Sequence, residues 1–150
     1  MPVVTAHINI GSNAGPSRQI LEAAIEAVEA LSEGSALHSH PVESEPWGFD
    51  SPNRFLNVGV EIETSLPPET LLDRLQEIER RVAARFVADN RHRNADGSYR
   101  DRALDIDIIY YGDIEMHTPR LTLPHPRRLE RDFVMIPLRE IAAMRGRDIF

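Results

Sequence analysis

The chain contains no cysteine, and all 17 of its basic side chains are arginines, so it contains no lysine either. Without cysteine there can be no disulfide, no thiolate zinc site and no cysteine nucleophile. Without lysine there is no Walker A loop, whose phosphate cradle ends in Gly-Lys-Ser/Thr. Long apolar runs are missing too, since nothing approaches the roughly 18 residues of a membrane-spanning helix. Met1 to Ile10 carries no arginine or lysine and runs straight into Gly11-Ser12-Asn13, which reads as a buried strand and a turn rather than a signal peptide. These absences point to a cytoplasmic protein with no membrane partner.

What remains is an ordinary globular composition. At 150 residues and 17.0 kDa, with 41% hydrophobic and 27% charged residues, the chain is sized for one domain spanning residues 1–150. The net charge of −7 argues against a nucleic-acid partner, which calls for a basic domain. The arginines are nevertheless uneven. Seven of the 17 (Arg80, Arg81, Arg85, Arg91, Arg93, Arg100 and Arg102) fall between positions 80 and 102. The guanidinium fork suits phosphate oxygens and stays charged near neutrality. An acidic chain with one concentrated arginine segment suggests a local anion site.

Periodicity divides the chain into elements. Val3 to Ile10 is rich in β-branched residues and reads as a mostly buried strand, with a turn from Gly11 to Pro16. Ser17 is expected to cap a helix with Leu21, Ala24, Ile25, Val28 and Leu31 along one stripe, and Gly34 to stop it. A weaker strand is expected over Ser35–Val42, then a loop from Glu43 to Arg54. Phe55 to Thr64 alternates, with Leu56, Val58, Val60 and Ile62 on one face and Phe55, Asn57, Glu61 and Glu63 on the other. Pro67-Pro68 opens a second helix with Leu71, Leu75, Ile78 and Val82 in register. Residues 85–102 lose periodicity and read as a surface loop, and Ala103–Tyr111 is another strand. Pro119, Pro124, Pro126 and Pro137 punctuate the tail, where no long element is expected. The order β-α-β-β-α-β predicts an α+β fold, a ferredoxin-like α/β sandwich in which helices pack on one face of an antiparallel sheet.

Asp105-Ile106-Asp107 is the sharpest chemical signal. On a strand, positions i and i+2 share a face, so both carboxylates project together while Leu104, Ile106 and Ile108 enter the core. Carboxylates about 7 Å apart can each reach a hard cation held beside substrate phosphates. Glu61 and Glu63 satisfy the same spacing and describe nothing more than a strand face, so the arginine segment ending at Arg102 is what distinguishes the aspartates. Asn57 shares its face with Phe55, an amide beside a ring suited to reading a flat heterocycle. Gln76 and Glu79 share a helix face. His125 is flanked by Pro124 and Pro126, which shape its loop.

The motifs together resemble the 6-hydroxymethyl-7,8-dihydropterin pyrophosphokinases of folate biosynthesis. The matching blocks are Ile10-Gly11-Ser12-Asn13, Glu45-Pro46-Trp47-Gly48, Phe55-Leu56-Asn57, Ile78-Glu79, Arg102-Ala103-Leu104-Asp105-Ile106-Asp107-Ile108, and Arg120-Leu121-Thr122-Leu123-Pro124-His125-Pro126 with Arg131 and Phe133. The resemblance implies transfer of the β,γ-pyrophosphoryl group of ATP to the pterin hydroxymethyl oxygen, releasing AMP. It implies that Asp105 and Asp107 hold two magnesium ions, with Arg102 beside them as a third catalytic side chain. Phe55 and Phe133 would sandwich the pterin, whose edge would meet Asn57, Ser44, Glu45, Pro46 and Trp47. ATP would be met by Gln76, Glu79, Arg85, Arg93, Arg102, Ile108, Arg120, Thr122, His125 and Arg131. Arg85, Arg91 and Arg93 remain alternatives for the phosphate clamp, because Ala84-Arg85 comes one residue later than the family pattern. With its end at Phe150, the sequence is expected to lack the final C-terminal strand that the resemblance implies. A monomer is expected.

Two rivals are weighed against this. A different magnesium-dependent nucleotidyl or phosphoryl transferase would release ADP or free pyrophosphate instead of AMP. An RNA-binding module on the same scaffold would want aromatic residues and a basic face where this chain has Asp105 and Asp107. The composition of residues 85–102, arginine-rich with few side chains able to pack, further suggests a lid that closes when both substrates bind.

Overall fold

The computed structural model describes residues 2–44, 54–86 and 103–146. The expected lid therefore lies outside the described residues, except for Arg85 and Phe86. Among the described residues no helix is long and apolar enough to cross a membrane.

Two long strands form the centre. β1 (Val4–Ser12) pairs antiparallel along its whole length with β4 (Phe55–Thr64), from Val4 opposite Thr64 to Ser12 opposite Leu56. On its other side β1 pairs antiparallel with β5 (Asp105–Tyr111), the last strand on that side among the described residues. The register slips after Tyr110–His7, leaving Ile109 as a bulge before Ile108 meets Ile8. The outer side of β4 is lined by two short strands, β2 (Leu37–His38) and β3 (Val42–Ser44). The expected strand over Ser35–Val42 is thus broken in two, and Glu43 and Ser44 belong to β3 rather than to the following loop. Counting β2 and β3 as one position, the all-antiparallel order is that of the expected α+β sandwich.

Helices α1 (Ser17–Glu29) and α2 (Pro68–Ala84) cover one face. Leu21, Val28, Leu71, Leu75 and Ile78 pack with Ile8, Val60 and Ile106 in a single core. The entry to α1 differs from expectation: Ser17 is the first helical residue, not the cap, and its hydroxyl accepts from Ser12 Oγ (3.1 Å). Nor does Gly34 end that helix, which stops at Glu29. The following turn closes through Glu33 N–H donating to the Glu63 carbonyl (2.8 Å).

The largest correction is in the tail. Beyond a small hairpin of β6 (Met116–His117) and β7 (Thr122–Leu123) runs a third helix, α3 (Asp132–Met144), with Pro137 inside it. A proline in a helix interior costs about 3 kcal/mol. Burying Val134, Met135, Leu138 and Ile141 contributes about 1.5–3 kcal/mol each, so burial wins. This helix lies on the second face of the sheet, so the helices are not confined to one face. It also explains why Glu61, read as part of a plain strand face, is 2% exposed. Glu61 accepts from Arg145 Nε at the end of α3 (2.6 Å).

Contact between α3 and the sheet depends on Gly59. A Cβ there would lie 2.8 Å from Pro137 Cβ and 2.7 Å from His7 Cε1. Gly59→Ala must therefore lift α3 or displace His7, and overpacking of this kind costs about 1–3 kcal/mol. Urea unfolding should show that loss at an unchanged slope. A stability within about 0.5 kcal/mol of the parent would mean that α3 does not sit this close.

Candidate active site

Among the described residues no strand pairs with the outer side of β5, and a cleft of about 380 Å³ opens along it. Asp105 and Asp107 line this cleft, both half-buried, while Ile106 and Ile108 between and beyond them are buried. The i, i+2 expectation for the two carboxylates therefore holds. α2 supplies Gln76 and Glu79 to one wall, and the β6–β7 hairpin and the loop after it supply Arg120, Thr122 and His125.

Two of these groups are fixed by the strand's own backbone. The Ile106 N–H donates to Glu79 Oε2 (3.1 Å), and the His125 N–H donates to the Ile109 carbonyl at the bulge (2.9 Å). An edge strand's unpaired polar groups must find partners, and here the partners are residues of the cleft wall. Arg120 is held less firmly. Its Nη2 donates to Asp73 Oδ1 (2.6 Å) and Gln76 Oε1 (3.4 Å), and both Arg120 and Asp73 are about half exposed. Pairs of this kind contribute only about 0–1 kcal/mol, so a phosphate can compete for the guanidinium.

Asp73, Tyr110 and Arg128 were not expected at the site. Asp73 precedes Gln76 by one helical turn, a spacing that could have drawn attention to it. Arg128 braces the His125 loop, donating from Nε to Tyr110 Oη (2.9 Å) and from Nη1 to the His125 carbonyl (3.0 Å), with its guanidinium 5.4 Å from the Tyr110 ring centre.

A second hollow, about 340 Å³, lies between β3 and the start of α3 and is lined by Val42, Ser44, Arg131, Phe133 and Ile136 among others. Arg131 stacks 5.4 Å from the Phe133 ring centre, so it lines this hollow rather than the first cleft. Phe55 pairs with Ser44 across the strands, and Asn57 Nδ2 donates to Ser44 Oγ (2.9 Å). Gly11 lies between Asn57 and Asp105 in the strand register. A Cβ at Gly11 would come within 3.0 Å of Asn57 Oδ1, so the missing side chain leaves the amide its room. Arg85 is exposed at the end of α2 and is not part of either lining, while Glu45, Pro46, Trp47, Arg91, Arg93 and Arg102 lie outside the described residues.

The whole-chain comparisons bear directly on this arrangement. The sequence profile of the 7,8-dihydro-6-hydroxymethylpterin-pyrophosphokinase family matches residues 7–143. The chain belongs to this family. Curated relatives called 2-amino-4-hydroxy-6-hydroxymethyldihydropteridine pyrophosphokinase include one from Porphyromonas gingivalis, 36% identical over 137 residues (91% of this chain, 89% of that protein). Others come from Bacillus subtilis, 35% identical over 140 residues (91% and 77%), and from Aquifex aeolicus, 34% over 139 residues (93% and 81%). A solved HPPK-DHPS structure in complex with substrates superimposes with a TM-score of 0.63 at 13% identity. It covers 93% of this chain, and this chain spans 40% of that one, so it shows a shared fold for one part of a longer protein. Asn57 and Phe55 are not in the lining of the second hollow; they reach it through Ser44, which lines it and which Asn57 meets, on the same sheet that carries Asp105 and Asp107 at its β5 edge.

The charge environment of His125 yields a test. Burial and then the Arg131 charge push its pKa below the ordinary 6.5, Asp105 pulls it up, and Arg128 and Arg127 add weaker downward pushes. The neutral ring is favoured in the fold, so this group's contribution to stability is present above about pH 6.5 and is lost as pH falls through the lowered value. A bound polyphosphate should reverse the shift. An NMR titration of the His125 ring should give a midpoint below 6.5 without ligand, moving upward with magnesium and an ATP analogue. A ligand-free midpoint at or above the ordinary value would contradict this charge balance.

Proposed function

We propose that the β5 edge cleft binds the ATP polyphosphate and the adjoining hollow binds the pterin, so that the two substrates meet over Asp105. As a member of its family the chain is an ATP-dependent pyrophosphokinase of folate biosynthesis, transferring pyrophosphate from ATP to 6-hydroxymethyl-7,8-dihydropterin. The observation that carries the placement is the sheet register. Asn57, Gly11 and Asp105 lie side by side on three neighbouring strands, a row that runs from Asp105 in the cleft to Asn57, whose amide meets Ser44 in the lining of the hollow.

In the reaction the pterin hydroxymethyl oxygen forms a bond to the β-phosphorus of ATP. The bond from that phosphorus to the oxygen bridging it to the α-phosphate breaks, and the bridging oxygen leaves with AMP. Asp105 and Asp107 are hard oxygen donors on one strand face, and they suit magnesium. Among the described residues no group of three or more His, Asp or Glu converges to hold a metal, which fits an ion that takes its other ligands from phosphate and water. Two such ions would neutralise polyphosphate charge where the bond is made and broken. Arg120 and His125 would contact the polyphosphate, and Thr122 with Gln76 would border it. Arg102 and Arg93 would add positive charge, with Arg85 and Arg91 as alternatives for the clamp. Phe133 and Phe55 would flank the ring, and Asn57, with Ser44 behind it, would read the pterin edge. Positioning and charge neutralisation then supply most of the rate. The domain spanning residues 1–150 would do this as a monomer in the cytoplasm.

Asp105→Ala and Asp107→Ala test the placement. Each should leave the melting temperature within a few degrees, since neither side chain enters the core, while AMP formation falls about a hundredfold or more. Activity within a few-fold of the parent at saturating magnesium would remove the aspartates from the chemistry. Phe133→Ala should weaken pterin binding by about 1–3 kcal/mol and leave nucleotide binding nearly unchanged. The reverse pattern in calorimetry would mean that the two sites are exchanged.

A further inference from the structure

Asn9 has no role in the reaction described above, yet it sits within the same rows. It is 4% exposed in the middle of β1, opposite Asp107 on β5 and Gly59 on β4. Paired residues share a sheet face, so Asn9 lies beside Asp107 and one step along from the Asn57–Gly11–Asp105 row. Gly59 offers no side chain, and the space above it is taken by Pro137 and His7. Asn9 Oδ1 is shut off from solvent and accepts no hydrogen bond among the described residues. A buried carbonyl left this way is costly, and native proteins rarely keep one without a use.

We infer that the Asn9 carboxamide is a further substrate-site group, an acceptor for an O–H donor that arrives at the Asp107 end of the site. That donor is the pterin hydroxymethyl group or a water on a bound magnesium. Rotation about the soft Cβ–Cγ bond turns the carbonyl towards it. The unsatisfied carbonyl of the ligand-free protein then gains its partner only in the complex, so it favours binding rather than folding. This inference rests on the proposed site. If that site is wrong, the Phe133→Ala variant binds pterin as tightly as the parent, whereas the Asn9 inference fails on the Asn9 variants alone.

Asn9→Ala, with Asn9→Ser as a milder truncation, separates the two roles. Thermal unfolding of the ligand-free variants should match or exceed the parent. Calorimetry with magnesium, an ATP analogue and 6-hydroxymethylpterin should show roughly three- to tenfold weaker pterin binding, the loss of one hydrogen bond. Equal binding of 6-methylpterin, which lacks the hydroxyl, by parent and variants identifies the hydroxymethyl group as the donor. Weakening already present for magnesium and nucleotide without pterin identifies the metal-bound water. Unchanged affinity for every ligand, or a lowered melting temperature with unchanged affinity, would overturn the inference and leave Asn9 a packing residue.

Discussion

The hydrogen bond from the Ile106 N–H to the Glu79 carboxylate is the contact on which the site depends. Among the described residues β5 has no strand beyond it in the main sheet, and a bare strand edge is both unsatisfied and prone to pairing with other chains. Here α2 supplies a carboxylate to that edge, and the loop after β7 supplies the His125 N–H to the Ile109 bulge. Tying the edge in this way leaves the Asp105 and Asp107 side chains half-buried along a cleft while Ile106 between them stays in the core. A further strand at this edge would have occupied the same backbone groups and closed the cleft.

The second face of the sheet divides the work differently. At one end Gly59 lets Pro137 approach, so α3 covers the strand and Arg145 meets the buried Glu61. Towards the other end Gly11 removes the side chain between Asn57 and Asp105. Two glycines at neighbouring rows thus serve opposite ends, one admitting a helix and the other leaving room over the sheet. Arg131, at the head of α3, lines the hollow and also lowers the His125 pKa in the neighbouring cleft, so the two regions share one electrostatic field.

How much of this is legible in the residues follows from the range of the forces involved. The strand Phe55–Thr64, the stripe of α2 and the common face of Asp105 and Asp107 depend on local periodicity, and they stand where the pattern places them. Helix α3 was hidden because Pro137 reads locally as a stop, while the burial that outweighs it comes from a sheet far away in sequence. Without that helix, Glu61 reads as part of a plain strand face, although it is buried against Arg145. The Ser35–Val42 strand was drawn as continuous because pairing with β4, not propensity, decides where it breaks. Asp73 meets Arg120 across 47 positions, a separation at which no local spacing rule operates.

The most direct measurement follows the phosphorus atoms. ATP carrying oxygen-18 on the non-bridging oxygens of its β-phosphorus is incubated with magnesium and 6-hydroxymethyl-7,8-dihydropterin, and the products are resolved by phosphorus NMR and mass spectrometry. Expected are AMP as the nucleotide product and a pterin diphosphate whose inner phosphorus, the one bonded to the hydroxymethyl oxygen, carries the label. ADP with a pterin monophosphate, or labelled free pyrophosphate with unmodified pterin, would contradict an edge cleft that brings the hydroxymethyl oxygen to the β-phosphorus.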